Sequence, residues 1–257
     1  MPDLKGIILA GGLGRRLGPL TKITNKHLLP VYNRPMIYYP IELLVEAGIK
    51  DILIVTGGNH AGEFLRLLGN GQQFGLTHIN YTYQEGEGGI AQALGLAKHF
   101  AEGYKTVVVL GDNILEDSIK EYVGHFRKQK IGARVLLKKV HDPERFGVAE
   151  VKKDTIVSIE EKPKRPKSDL AVTGVYMYDE HVFDIIKTLK PSKRGELEIT
   201  DVNSAYIQKE RLEFDVLKGW WTDSGTFESL LRANMLVAKK ALKSKFPAGL
   251  HPERFLL

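Results

Sequence analysis

The sequence has no cysteine. Disulfides, thiolate metal sites and a cysteine nucleophile are therefore excluded. No apolar run approaches the roughly 20 residues that a membrane-spanning helix needs, so no membrane partner is expected. The N-terminus carries Asp3 and Lys5 before only a short apolar run. No signal peptide is visible there, and a cytoplasmic protein is expected. Two familiar signatures are also missing. No Gly-Lys pair precedes Ser or Thr, as a P-loop requires, and there is no G-x-S-x-G elbow. The eight histidines lack metal-ligand spacing. Repeats and low-complexity tracts are absent.

What remains is an ordinary globular composition. A chain of 257 residues with 43% hydrophobic content can bury a substantial core, as one large α/β domain or two small ones. The formal charge of +6 suits small anionic substrates as well as nucleic acid. Its basic residues are spread out, except for the cluster Lys162-Pro163-Lys164-Arg165-Pro166-Lys167. No nucleic-acid-binding module accompanies that cluster, so no nucleic-acid partner is expected.

The stretch that organises the chain lies near its start. Residues 7–10 (Ile-Ile-Leu-Ala) form an unbroken apolar run, as in a parallel strand buried on both faces. Gly11, Gly12 and Gly14 follow, then Arg15 and Arg16, then Lys22 and Lys26. Glycines let the backbone approach a ligand closely, and successive free N–H groups form an anion-binding concavity. Fixed positive charge beside such a loop suits a polyphosphate. The dinucleotide fingerprint G-x-G-x-x-G nearly fits at Gly12 and Gly14, but its third position is Leu17, too bulky for close helix–strand packing. Pro19 also argues against an immediate, uninterrupted helix. An ordinary glycine-rich turn with solvated arginines is the alternative.

Along the chain, apolar periodicity predicts strands at 51–56, 78–83 and 106–110, with helices at 36–48, 61–68 and 90–100. Pro40 should fall in the first turn of its helix, and Gly48 should stop it. The second half is less regular. Strands are expected at 133–138, 148–151, 155–159, 172–178 and 212–217, and helices at 180–189, 199–209 and 226–243. In the last helix Phe227, Leu230, Leu231, Asn234, Ala238, Ala241 and Leu242 share one face. The tail after Phe246 is short and ends in Pro252 to Leu257. The alternation predicts an α/β fold with a doubly wound, mainly parallel sheet and ligands outside the strands' carboxyl ends.

Three further places attract attention. Gln84-Glu85-Gly86-Glu87-Gly88-Gly89 links a predicted strand to a helix. The Gln84 amide offers a donor and an acceptor to a pyrimidine edge, and Gly89 lets a backbone N–H come close. Asp112 lies just past a buried strand, and Asp223 precedes the last helix. Carboxylates there can hold Mg2+, although a turn residue and a helix start would account for them equally. Finally, Glu161 can accept from sugar hydroxyls and Lys162 can pair with a phosphate, whereas an exposed Glu-Lys pair is usually only surface.

Gly11, Gly12, Gly14, Arg16, Leu17, Pro19, Leu20, Thr21, Lys26, Leu28, Leu29 and Pro30 fit G-G-x-G-x-R-L-x-P-L-T with a later K-x-L-L-P. This resembles the signature of the sugar-1-phosphate nucleotidyltransferases. Glu160-Glu161-Lys162-Pro163 and the segment from Lys190 to Asp201 extend the resemblance over nearly the whole chain. It implies a Rossmann-like nucleotide-diphospho-sugar transferase fold with an antiparallel sugar-binding excursion. It also implies one domain, with a nucleotide half at about 1–130, a sugar-phosphate half at about 131–225 and a C-terminal helix and tail at 226–257. By the same resemblance the partners are dTTP and glucose 1-phosphate, and the products are dTDP-glucose, a precursor in the dTDP-rhamnose pathway, and pyrophosphate. Leu9, Gly11, Gly12, Gly14, Arg16, Gln84 and Gly89 would bind nucleotide. Gly147, Glu161, Lys162, Val172 and Arg194 would bind sugar phosphate. Asp112 and Asp223 would hold Mg2+, and Arg16, Lys26 and Lys162 would join them in catalysis. Arg15 departs from the Thr or Ser common in the family. The chain ends sooner than members with a C-terminal regulatory portion, so control through that portion is not expected. A homo-oligomer, dimer or tetramer, is expected. A UTP- or other sugar-specific transferase, a dehydrogenase and a non-catalytic nucleotide-sensing module remain as alternatives.

Overall fold

The structure, a computed structural model, describes residues 4–245. Four parallel strands form its centre: β1 (Lys5–Ala10), β2 (Ile52–Gly57), β3 (Ile79–Gln84) and β4 (Thr106–Leu110). Five more complete a nine-stranded sheet: β5 (Ala133–Lys139), β6 (Gly147–Lys152), β7 (Thr155–Glu161), β8 (Leu170–Tyr178) and β9 (Leu212–Val216). The order is β7-β6-β8-β4-β1-β2-β3, with β5 on β8 and β9 on β5. Strands β1 to β4 pair in parallel, whereas β8 runs antiparallel to β4, β5 and β6. The expected α/β architecture with an antiparallel excursion is therefore present.

The apolar runs have a simple cause. In β1, Ile8 and Ala10 face one core while Ile7 and Leu9 face the other. Successive side chains of a strand point to opposite faces, so a sheet covered on both sides needs apolar residues at every position. One face packs on α1 (Tyr38–Glu46), α2 (Ala61–Leu68) and α5 (Lys120–Lys128), and the other on α3 (Ile90–Gly95), α6 (Val182–Thr188) and α7 (Ile199–Gln208). Helices α4 (Lys98–Ala101) and α8 (Phe227–Lys245) complete the set. Among the described residues no helix is long and apolar enough to cross a membrane.

Some expectations need correction. The single helix over 90–100 is two, α3 and α4. Leu96 N and Ala97 N donate three residues back, to Ala93 O and Leu94 O, and this tighter turn interrupts the helix after Gly95. Helix α5 has no counterpart in the sequence reading. Its apolar face is only Tyr122, Val123 and Phe126, set among charges and Gly124. The face expected for the last helix holds only in part: Ala238 is buried and Leu230 packs against the core, but Phe227 and Leu231 are exposed, and Ser229, Ala233 and Val237 are buried instead. Small residues are chosen because α8 lies close over a short ribbon, described below, and over the strand Pro30–Val31. The predicted tail after Phe246 lies outside the described residues.

The segment after β1 makes three short 3-10 turns, Arg15–Leu17, Leu20–Lys22 and Lys26–Leu28, before the first α-helix. Leu17 is fully buried within it. A dinucleotide site needs a helix N-terminus directly after the glycine turn, and this segment does not provide one.

Candidate active site

The carboxyl ends of β1, β3 and β4 open into a cleft of about 370 Å³, whose other wall comes from β6, β7 and β8. Leu9, Gly11, Gly12, Arg16, Lys26, Gln84, Gly89, Asp112, Gly147, Glu161, Lys162, Val172 and Asp223 all line it. Gly14 and Arg194 do not. Gly14 has φ of 65°, and a Cβ there would sit 2.8 Å from Lys26 Cβ. Its role is to let the Lys26 stem pack beneath the loop. Arg194 forks onto Glu198 with bonds of 2.9 and 2.8 Å, while its nearest approach to Glu161 is 3.9 Å.

Asp112 and Asp223 are 111 positions apart in sequence, yet a two-stranded ribbon joins their surroundings. Asn113–Leu115 pairs antiparallel with Trp221–Asp223, with Asn113 opposite Asp223. Ser224 N also donates to Asp112 O at 2.9 Å. Asn113 is the fixing point. Its Nδ2 donates to Asp112 Oδ1 at 2.9 Å, and its Oδ1 accepts from Trp221 Nε1 at 2.6 Å and Gly174 N at 3.0 Å. The amide thus ties β4, β8 and the ribbon together. Neither Asn113 nor Trp221 was singled out from the sequence, although each lies within two residues of a chosen aspartate.

Lys26 Nζ donates to Asp112 Oδ2 at 2.6 Å, with both side chains only 13% exposed. Burial raises the Asp112 carboxyl, but the charge of Lys26 and the hydrogen bonds from Lys26 and Asn113 outweigh it and hold the group well below the usual carboxylate range. Asp223 moves the other way. Burial raises it first, and the neighbouring Asp112 charge adds to that, against Arg145, Arg16 and Lys26. His27, missed from the sequence, is buried in the same wall. Burial, and then the Lys26 charge, push it down to about 3, and its Nδ1 is bonded to Asn25 Oδ1 at 2.7 Å. The ring is neutral near pH 7, and its bond to Asn25 supports the loop.

On the β3 side, Gln84 is buried, and its Nε2 donates to Gly89 O at 3.2 Å and Gln92 Oε1 at 2.8 Å. Both donor hydrogens are used, so the amide offers a ligand only the acceptor Oε1. A Cβ on Gly11 would sit 2.5 Å from that oxygen and would push the Gln84 amide from its place. On the far wall, Thr200 Oγ1 at the start of α7 donates to Glu161 Oε2 at 2.7 Å. Lys162 has φ of 45°, a left-handed conformation uncommon for a side-chain-bearing residue. Its backbone N donates to Phe146 O at 2.9 Å, and its ammonium lies 3.5 Å from Glu161 Oε1. Backbone strain of this kind persists where surrounding structure over-determines it, commonly at ligand sites.

Comparison with known proteins places the chain in a family. A family model described as nucleotidyl transferase matches residues 5–240. The chain is 48% identical to a glucose-1-phosphate thymidylyltransferase of Neisseria meningitidis over 238 residues, 91% of this chain and 82% of that protein. Among solved structures it resembles a Bacillus anthracis protein, provisionally described as a glucose-1-phosphate thymidylyltransferase and crystallised with a sucrose. The identity is 56% and the TM-score 0.88, covering 91% of this chain and 95% of that one. A UDP-glucose pyrophosphorylase complexed with UDP-glucose is 25% identical with a TM-score of 0.84, covering 93% and 99%. By sequence and by fold, the chain belongs to the nucleotidyl transferase family.

Proposed function

We propose that this nucleotidyltransferase condenses dTTP with glucose 1-phosphate to give dTDP-glucose and pyrophosphate. The observation that carries the proposal is a single cleft with an N–H-rich glycine loop, Lys26 and two carboxylates on one wall, and Gly147, Glu161 and Lys162 on the other. One wall suits a nucleoside triphosphate and the facing wall a sugar phosphate. Similarity to thymidylyltransferases supports the particular base and sugar.

The Gln84 Oε1 acceptor suits the N3–H of thymine or uracil and opposes cytosine, whose N3 is itself an acceptor. Gln84→Ala should weaken dTTP and UTP binding by about tenfold or more, as expected for a lost buried hydrogen bond, and leave glucose 1-phosphate binding nearly unchanged. Calorimetry with each ligand checks this; the opposite pattern would remove Gln84 from base recognition.

Glucose 1-phosphate already carries a nucleophilic oxygen near neutral pH, so no strong general base is required. That oxygen attacks the α-phosphorus in line, and the bond to the pyrophosphate oxygen breaks. Catalysis then rests on positioning and on stabilising charge. Lys26 neutralises charge around the α-phosphate. Arg16, close to Gly225 and Asp223, and the loop amides hold the departing pyrophosphate. Lys162 holds the incoming phosphate while Glu161, fixed by Thr200, accepts from the sugar hydroxyls.

Asp112 and Asp223 fit a hard divalent cation such as Mg2+. Their donors are all oxygens, and among the described residues no cluster of three or more acidic or histidine ligands competes as an all-protein cage. Mg2+ is commonly held by one or two carboxylates together with waters and substrate phosphates. When bound, such an ion would polarise phosphate oxygens.

Pyrophosphate release across four nucleotides and several sugar 1-phosphates tests the assignment, with the largest kcat/KM expected for dTTP with glucose 1-phosphate. A UTP-specific reading has some support in the likeness to UDP-glucose pyrophosphorylase. One methyl group discriminates by only about 10- to 200-fold, so the panel should show measurable activity with UTP. No turnover with any pair would mark a nucleotide-binding module instead.

A further inference from the structure

Arg145 belongs to no role assigned above. It ends the 3-10 turn Pro143–Arg145, just ahead of β6, and lines the cleft. One side of its guanidinium is anchored, with Nη1 donating to Asp142 Oδ2 at 2.6 Å. The group lies over the Phe146 ring, 5.1 Å from the centroid, and Phe146 packs on Trp221 of the ribbon at 5.0 Å. Its other edge faces the site, where Nη2 meets Asp223 Oδ1 at 3.3 Å. The side chain is 34% exposed, so its free edge opens to the cleft and is not sealed in the core.

Asp112 has a comparable partner in Lys26. Both carboxylates that fit a divalent ion therefore carry a cation supplied by the chain. A guanidinium and a metal ion compete for the same carboxylate oxygen. Once displaced, a guanidinium anchored beside a phosphate site is well matched to phosphate oxygens, because its planar fork binds oxyanions in two directions.

We propose that Arg145 is a displaceable counter-ion: it occupies Asp223 in the ligand-free protein and transfers to a phosphate of the nucleotide when metal and nucleotide enter together. The inference rests on the assignment of Asp223 as a metal ligand. Its consequence is coupling. Metal alone binds weakly because it must displace Arg145 without giving it a new partner. Metal with nucleotide binds well because the displaced guanidinium gains one. By linkage the nucleotide tightens metal binding by the same factor as metal tightens nucleotide binding.

The test is Mn2+ binding, followed by electron paramagnetic resonance, to the whole protein with and without dTTP, for wild type, Arg145→Gln, Arg145→Lys and Asp223→Asn. Arg145→Gln should bind Mn2+ alone about tenfold more tightly, bind dTTP in the presence of Mn2+ about tenfold more weakly, and so lose most of the coupling. Arg145→Lys should restore part of it. Unchanged Mn2+ affinity in a folded Arg145→Gln protein overturns the counter-ion role and leaves Arg145 as a brace for the 142–146 loop. Asp223→Asn separates the two ideas. If wild type loses Mn2+ on that change while Arg145→Gln alters nothing, only the counter-ion inference fails. If Asp223→Asn leaves Mn2+ binding intact, the metal assignment itself fails.

Discussion

Asp112→Asn should lower turnover on the order of a thousandfold while the protein stays folded. The substitution keeps the shape of the side chain and removes its charge. Stabilising charge on a phosphoryl group is worth several kcal/mol, and about 1.4 kcal/mol corresponds to tenfold in rate. A second effect acts in the same direction. Asp112 Oδ2 accepts from Lys26 and Oδ1 accepts from Asn113. An asparagine amide has one oxygen and one NH2, so it cannot accept from both. One donor is left facing another, and the Lys26 ammonium loses its counter-charge at a site only 13% exposed. Lys26 would then be poorly held for the α-phosphate even if metal still bound. Steady-state pyrophosphate release, with circular dichroism to confirm folding, measures the effect. A folded variant at the wild-type rate would show that Asp112 does no work in the reaction. Adding Mg2+ to high concentration separates the contributions: a weakened metal site recovers with metal, whereas a displaced Lys26 does not.

The parts of this site differ in how far the sequence revealed them. The strands β1, β2 and β4 were visible because they are apolar on both faces, which only a doubly covered sheet requires. Asp112 is legible as a carboxylate just past a buried strand, and Asp223 as one just before the last helix. Their meeting was another matter. It depends on a ribbon with three residues in each strand, too short for a periodic pattern, and on the pairing of Asn113 with Asp223, far apart in the chain. Nothing in the sequence marks Asn113, which fixes Asp112, because its partners Trp221 and Gly174 are distant in the chain. The buried face of the last helix was legible only in part, for a related reason. Large apolar residues usually mark the buried face, but this helix approaches its neighbours closely through Ser229, Ala233 and Val237. Arg194 shows the limit for a long side chain: its sequence context does not reveal that its guanidinium turns to Glu198, four residues on, and leaves the cleft lining. Arg145 sat within a segment already noted for Gly147, yet nothing local indicated that its free edge would reach Asp223.

Lys162→Met should impair use of glucose 1-phosphate and spare dTTP binding. Methionine keeps much of the apolar stem and removes the charge. The Lys162 side chain is 49% exposed and its ammonium is 3.5 Å from Glu161 Oε1. An ion pair this exposed contributes little to stability, so the variant should fold normally. The effect belongs to the complex, where the ammonium would meet a phosphate dianion in a closed cleft. A hydrogen bond to a charged group is worth about 1.5–3 kcal/mol, which converts to a fall in kcat/KM of about 10- to 150-fold for glucose 1-phosphate. Lys162 lines the cleft, and its backbone is pinned there by its bond to Phe146 O. An ordinary surface lysine would give almost no kinetic change. The partition between substrates is the decisive reading. Titration of dTTP into the free variant should give near wild-type affinity, since Lys162 lies on the wall across from the glycine loop. If dTTP affinity falls as much as glucose 1-phosphate efficiency, the ammonium serves the triphosphate and the two walls of the cleft have been assigned the wrong way round.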